Sequence, residues 1–423
     1  MSKSFASLGL SSELLTSITE AGFEKPFPIQ EAVIPLALTG VDIIGQAKTG
    51  TGKTLGFGLP ILNNVNRGNG LPVALIVVPT RELGIQVADE LNKLSARREL
   101  RVTAIYGGRP MEPQIAELKK GVDIVVGTPG RLLDLQRQGA LHLKEVKHLV
   151  LDEADEMLDL GFLPDVEKIF QLTSSRSQTM LFSATMPGDV VTLARKFLNQ
   201  PTHIRADIED TGAIVTRIKQ FVYRAHALDK PEMLARILQA NGRGPTMIFC
   251  RTKRACQQIA DDMKARGFKT AAIHGDLGQA ARERALEDFK SLKRDILVAT
   301  DVAARGIDID GITHVINYQC PEDEKTYVHR IGRTARAGAS GIAITFVDWD
   351  ELTRWSHINQ SLNLDFPEPK ETYSSSDHLY EELDIRRNSI EAPRKKISSK
   401  SENIKSDSAP RKKRDRVRTK RVH

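Results

Sequence analysis

Short apolar runs recur along this chain, each broken off by a polar or glycine-rich segment. In the first half they are Val41-Asp42-Ile43-Ile44-Gly45, Ala74-Leu75-Ile76-Val77-Val78, Asp123-Ile124-Val125-Val126, Leu149-Val150-Leu151 and Thr179-Met180-Leu181-Phe182. Longer amphipathic stretches separate them. Apolar runs of this length, alternating with helical patterns, describe strands of a parallel sheet buried on both faces. The first half therefore reads as a doubly wound α/β domain. After Pro201 the pattern restarts with Thr246-Met247-Ile248-Phe249, Lys269-Thr270-Ala271-Ala272-Ile273, Asp295-Ile296-Leu297-Val298, His314-Val315-Ile316 and Ile342-Ala343-Ile344-Thr345-Phe346, which gives a second α/β domain.

A length of 423 residues agrees with more than one core. Asp207–Gly212, acidic and poor in apolar residues, is the expected linker, so the chain divides into 1–206, 207–212, 213–366 and 367–423. Beyond Asp365 come Pro367, Pro369 and Ser374-Ser375-Ser376, and no aromatic residue follows Tyr380, so the last segment is expected to be a disordered basic tail. The net charge of +7 belongs to it. Residues 370–423 hold 16 Lys/Arg against 9 Asp/Glu, leaving 45 of each sign in 1–369. A free basic segment suits a nucleic-acid arm, through counterion release, as well as a solvated extension.

Hydrophobic residues at 40% and charged residues at 27% exclude a fibrous or wholly disordered chain. Three cysteines without a C-x-x-C pair support neither a disulfide framework nor a zinc site. The N-terminus lacks an apolar signal core and no run of about 18 apolar residues occurs, so a reducing cytoplasm is the expected compartment, with no membrane association.

Two segments carry the chemistry. Ala47-Lys48-Thr49-Gly50-Thr51-Gly52-Lys53-Thr54 follows the first apolar run and matches the phosphate-binding G-x-x-x-x-G-K-[ST] pattern at all but its first position, where Ala47 stands. Its small residues let backbone N–H groups face phosphates, Lys53 meets the β/γ charge and the Thr54 hydroxyl can hold Mg²⁺. Asp152-Glu153-Ala154-Asp155 follows a later apolar run. At the carboxyl ends of two parallel strands, Lys53 and Asp152 converge on one phosphate–Mg²⁺ site, with Asp152 on the metal and Glu153 placed to orient or deprotonate water.

With both segments in place, the chain resembles the DEAD-box ATP-dependent RNA helicases of bacterial type, superfamily 2 enzymes with two RecA-like domains, from Phe5 to about Asp348. The resemblance implies an α/β fold of two tandem RecA-like domains, each a mainly parallel sheet with helices on both faces, and an RNA-stimulated ATPase using ATP and Mg²⁺. Gly22-Phe23-Glu24-Lys25-Pro26-Phe27-Pro28-Ile29-Gln30 resembles the family's Q motif. It implies that Phe23 stacks on adenine, that Gln30 bonds the adenine edge and that Lys25 lies in the nucleotide site; a side-chain amide suits adenine N6 and N7. Pro79-Thr80-Arg81, Gly108 and Thr128-Pro129-Gly130-Arg131 resemble the first domain's RNA contacts. Such hydroxyls, glycine N–H groups and arginines suit phosphates and carry no base code.

In the second domain the resemblance extends RNA contact to Arg251, Gly275, Asp276, Gln279, Arg282 and Thr300. It assigns Gly306 and Asp308 to the nucleotide and makes Arg330 and Arg333 arginine fingers; their i,i+3 spacing on a helix would put both guanidiniums on one face. Asp155, Ser183, Thr185 and His329 are implied in coupling hydrolysis to RNA. Ala335 replaces the family's usual glycine. The implied partner is RNA, bound through its backbone, with ribonucleoprotein or RNA-degradation assemblies around a monomeric chain. An ATP-dependent RNA clamp without unwinding shares these residues, and a DNA helicase of the same superfamily is the other alternative.

Overall fold

The computed structural model describes residues 4–47, 50–206, 218–304, 307, 309, 311–334 and 341–387. The first sheet holds β1 (Ile43–Gln46), β2 (Ala74–Val77), β3 (Val102–Ile105), β4 (Ile124–Gly127), β5 (His148–Leu151), β6 (Gln178–Ser183) and β7 (Thr202–Arg205). They run in the order β3-β4-β2-β5-β6-β1-β7, and every pairing is parallel. Successive side chains leave opposite faces, and both faces are covered. Ala74 and Ile76 of β2 enter one apolar cluster while Leu75 and Val77 enter another.

The second sheet repeats the plan with β8 (Ile218–Arg224), β9 (Thr246–Cys250), β10 (Thr270–Ile273), β11 (Ile296–Thr300), β12 (His314–Asn317), β13 (Gly341–Val347) and β14 (Lys370–Glu371). Its order is β10-β11-β9-β12-β13-β8-β14, again all parallel. Ile296 and Val298 of β11 face one cluster, Leu297 and Ala299 the other. The chain thus has two complete α/β domains, each with its own core.

The tail boundary at 367 is corrected by the structure. Lys370 and Glu371 pair with Tyr223 and Arg224, and the helix Asp377–Glu382 buries Leu379, with Leu383 and Ile385 following it into the second domain's core. Asp229 fixes the approach, its carboxylate accepting from the Ser374 amide at 2.6 Å and hydroxyl at 2.7 Å. A segment too poor in apolar residues to build a core can still complete an existing one with three well-placed side chains. The expected linker 207–212 and the rest of the tail, 388–423, lie outside the described residues.

Candidate functional site

The Lys53 loop turns β1 into the helix Lys53–Asn64 through Gly50 and Gly52, both in the left-handed region at φ +81°. At Gly52 a Cβ would also stand 2.3 Å from Gln30 Nε2 and 2.8 Å from Phe27 Cδ2, so only glycine fits. Gln30 is buried and holds this junction: its Oε1 accepts the Phe27 N–H and its Nε2 donates to the Gly52 carbonyl, both at 2.9 Å. One amide hydrogen and one lone pair remain for an adenine edge. Phe23 is half-buried and lines the same cleft, whereas Lys25 is exposed and stands outside it. Phe27, 45% exposed, also lines that cleft and was missed from sequence, because its approach to Gly52 is set by the fold and not by chain neighbours.

Lys53 is 5% exposed and its Nζ lies 3.9 Å from Asp152 Oδ1, with no hydrogen-bond partner among the described residues. A buried ammonium with unmet donors, at a helix N-terminus after a glycine turn, fits a polyphosphate. Ala47 is buried, its N–H on the Ser183 carbonyl; Thr51 and Thr54 are half-buried, and Thr49 lies outside the described residues.

Asp152, Glu153 and Asp155 follow β5 and are all buried. Glu153 adopts φ +53°, rare for a residue with a Cβ. Burial raises the Asp152 pKa, helped by Glu153 and opposed by Lys53. Burial also pushes on Glu153, but a hydrogen bond from Glu156 and the charges of Lys53 and Arg333 outweigh it and hold the carboxyl low. Among the described residues no group of three or more His, Cys, Asp or Glu is arranged to hold a metal. Asp152 and Thr54 supply oxygen atoms of the kind that Mg²⁺ takes, one carboxylate and one hydroxyl.

Asp155 points away to β6. Its Oδ2 accepts the Thr185 N–H at 2.9 Å and hydroxyl at 2.6 Å, and its own N–H donates to Ser183 Oγ at 3.2 Å. Burial opposes ionisation there, but these hydrogen bonds prevail and lower its pKa.

From the second domain, Arg333 supplies charge to this site, lowering Glu153, while its Nη1 donates to the Ile307 carbonyl at 2.7 Å. His329 is close enough to feel both Asp155 and Glu153, although burial and Arg333 dominate and lower its pKa. The reading of Arg330 as a second finger is corrected. Arg330 is 1% exposed and bidentate on Asp301, at 2.6 and 2.7 Å, with its third nitrogen on Asn317 Oδ1 and the Gln319 carbonyl. The helix ends at Ile331, so Arg333 lies past its C-cap Gly332 and the i,i+3 argument does not reach it. Gly306 and Asp308 lie outside the described residues.

The expected RNA residues gather at the carboxyl ends of both sheets, and several meet across the cleft. Arg81 Nη1 donates to Gln279 Oε1 at 2.7 Å, and Arg282 Nη2 lies 2.8 Å from Glu82 Oε1. Gly108, at φ +81°, leaves Arg81 its room: a Cβ there would sit 2.1 Å from Nη1. Pro79 and Thr80 follow β2, Thr80 capping the helix Arg81–Ser95 through its hydroxyl. Thr128 and Pro129 follow β4, and Arg131 donates to the Arg109 carbonyl at 3.0 Å. Thr300 closes β11; Asp276 pairs with Lys253 at 2.8 Å beside Gly275, and Arg251 pairs with buried Glu351 at 2.8 Å. A second ion pair across the cleft joins Lys325 to Asp159 at 3.3 Å.

Family models match residues 27–193 as DEAD/DEAH box helicase and residues 229–338 as helicase conserved C-terminal domain. The chain is 46% identical over 357 residues to the DEAD-box ATP-dependent RNA helicase CshA of Geobacillus kaustophilus, covering 84% of this chain and 76% of that one. Among solved structures it resembles S. cerevisiae Dbp5 bound to RNA and ADP BeF3, with TM-score 0.78 and 32% identity over 90% of this chain and 99% of that one. A Dbp5 variant bound to Nup159, Gle1, IP6 and ADP matches at TM-score 0.62 and 30% identity, over 89% and 97%.

Proposed function

The chain belongs to the DEAD/DEAH box helicases and is an ATP-dependent RNA helicase, and from that premise we propose how its residues divide the work. ATP binds with its phosphates at Lys53 and the Gly50–Gly52 turn and its base between Phe23, Phe27 and Gln30. Lys53 carries the proposal, because its buried ammonium has no hydrogen-bond partner among the described residues. A Mg²⁺ held by Asp152 and Thr54 would neutralise charge on the phosphate oxygens.

Glu153, held ionised beside Lys53 and Arg333, orients the attacking water and takes its proton as the γ-phosphoryl bond breaks. Arg333 arrives from the other domain, so the site is complete only when the domains close, and it then stabilises charge gathering on the transferred phosphoryl group. Closure and RNA binding share parts. Arg81, Gln279, Arg282 and Glu82 lie on facing ends of the two sheets, so a backbone laid across them favours the closed arrangement. Asp155, through Thr185 and Ser183, links that face to Glu153. Contacts to phosphates alone make recognition independent of sequence, and one strand held in the closed form is distorted away from its duplex partner.

Glu153→Gln tests this reading. Turnover should fall by roughly a hundredfold to ten-thousandfold while ATP-dependent RNA binding persists. Normal RNA-stimulated turnover in that variant removes the general-base role. Strand displacement on a short duplex, run beside the ATPase assay, separates unwinding from clamping.

A further inference from the structure

We propose that Trp349 and Tyr373, braced by Arg224, form a stacking platform for single-stranded RNA that extends the path beyond Arg251. The proposal rests on the helicase reading above and adds a subsite to it. The chain has two tryptophans: Trp355 is fully buried with its indole N–H on the Phe366 carbonyl, whereas Trp349 is 49% exposed. Trp349 is nevertheless fixed. It opens the short 3-10 turn Trp349–Glu351 directly after β13, with its N–H on Asp348 Oδ1 at 2.8 Å and the Asp348 N–H on Glu351 Oε2 at 3.0 Å.

Arg224, at the end of β8, lies with its guanidinium carbon 4.3 Å from the centre of the Trp349 ring. Its Nη2 meets Glu371 Oε2 at 2.9 Å, and Glu371 Oε1 accepts the hydroxyl of Tyr373, itself 46% exposed, at 2.8 Å. Two open aromatic rings are thus held in place across the adjacent strands β13, β8 and β14 by one cation and one carboxylate.

Their position points to the ligand. Arg251 pairs with Glu351, the last residue of the turn that Trp349 opens. In the order β9-β12-β13-β8-β14 the platform's first strand is two removed from that of Arg251, about 10 Å along the same carboxyl edge. A strand that continued from Arg251 along this edge would pass the end of β12 and then reach Trp349. An aromatic face accepts any base, matching the sequence-independent contacts upstream, and its affinity comes from stacking because Glu371 already neutralises Arg224.

The test uses the full chain with a non-hydrolysable ATP analogue and oligo(U) RNAs of increasing length. Wild type should gain affinity with length. Trp349→Ala should lose that gain, by about fivefold to a hundredfold for the long RNA, with the loss unchanged by salt. Tyr373→Ala should show the same length-dependent pattern, and Trp349→Phe should retain most of the gain. RNA should quench wild-type tryptophan fluorescence but leave Trp349→Phe, with only buried Trp355, unaffected. Three results would overturn the platform: wild-type binding by Trp349→Ala at every length, equal loss for short and long RNA, or a defect confined to binding a protein partner. Absence of RNA-stimulated ATPase in the wild type would instead remove the helicase reading.

Discussion

Glu82 and Arg282 stand 2.8 Å apart across the cleft, one in the first turn of the helix Arg81–Ser95, the other near the start of Gln279–Lys290. Both side chains are at most 14% exposed, so the pair is shielded enough to matter, unlike a surface bridge. Reversing either charge, Glu82→Arg or Arg282→Glu, should lower RNA-stimulated turnover roughly tenfold or more by opposing closure. The double exchange should recover part of it. If both single variants keep full RNA stimulation, this contact does not hold the closed form.

Arg330 and Arg333, three residues apart, should fail in different ways. Arg333→Ala should fold normally, bind ATP and lose hydrolysis by about a thousandfold or more. Arg330→Ala leaves Asp301 without its bidentate partner and should destabilise the second domain by about 3 kcal/mol, read as a lower Tm. Unchanged stability in Arg330→Ala would return that residue to the nucleotide.

The central strands were legible in the sequence and the edges were not. β2, β4, β5, β9 and β11 are buried on both faces and so carry unbroken apolar runs. The edge strand β7, Thr202-His203-Ile204-Arg205, buries only Ile204 and carries no periodic signal, and β14 has no buried residue at all. Within the site the same divide holds. The meeting of Lys53 with Asp152 was readable because each follows a strand of the same parallel sheet, whose carboxyl ends converge. Arg330 was misread because a guanidinium's use depends on its partner, and Asp301 lies 29 residues away in sequence.

Asp155 and Thr185 should separate hydrolysis from unwinding. Thr185→Val removes the 2.6 Å hydroxyl bond yet leaves the backbone N–H on the same oxygen, so the nucleotide site keeps its shape. ATPase should stay within about tenfold of wild type, the scale of one charge-assisted bond, while strand displacement falls further. Proportional loss of both activities would place Thr185 in the hydrolysis site itself.

His314, buried on β12, gives the second domain a pH dependence of definite sign. Burial, aided by the positive charge of Arg243, pushes its pKa down to about 4 from an ordinary value near 6.5. The folded chain therefore holds His314 neutral where the unfolded chain would protonate it. Between those two values the unfolded state binds more protons, so stability is complete above about pH 6.5 and declines as pH falls toward 4. Over the first 1.5 pH units of that fall the loss amounts to about 2 kcal/mol. Other groups titrate in the same range, so the informative quantity is a difference. His314→Asn keeps a polar side chain beside the Thr313 hydroxyl, which lies 2.8 Å from His314 Nδ1, and removes the titration. Denaturant unfolding at pH 7.5 and pH 5 should show the wild type losing about 2 kcal/mol more than the variant; parallel losses would mean that His314 is protonated in the folded protein.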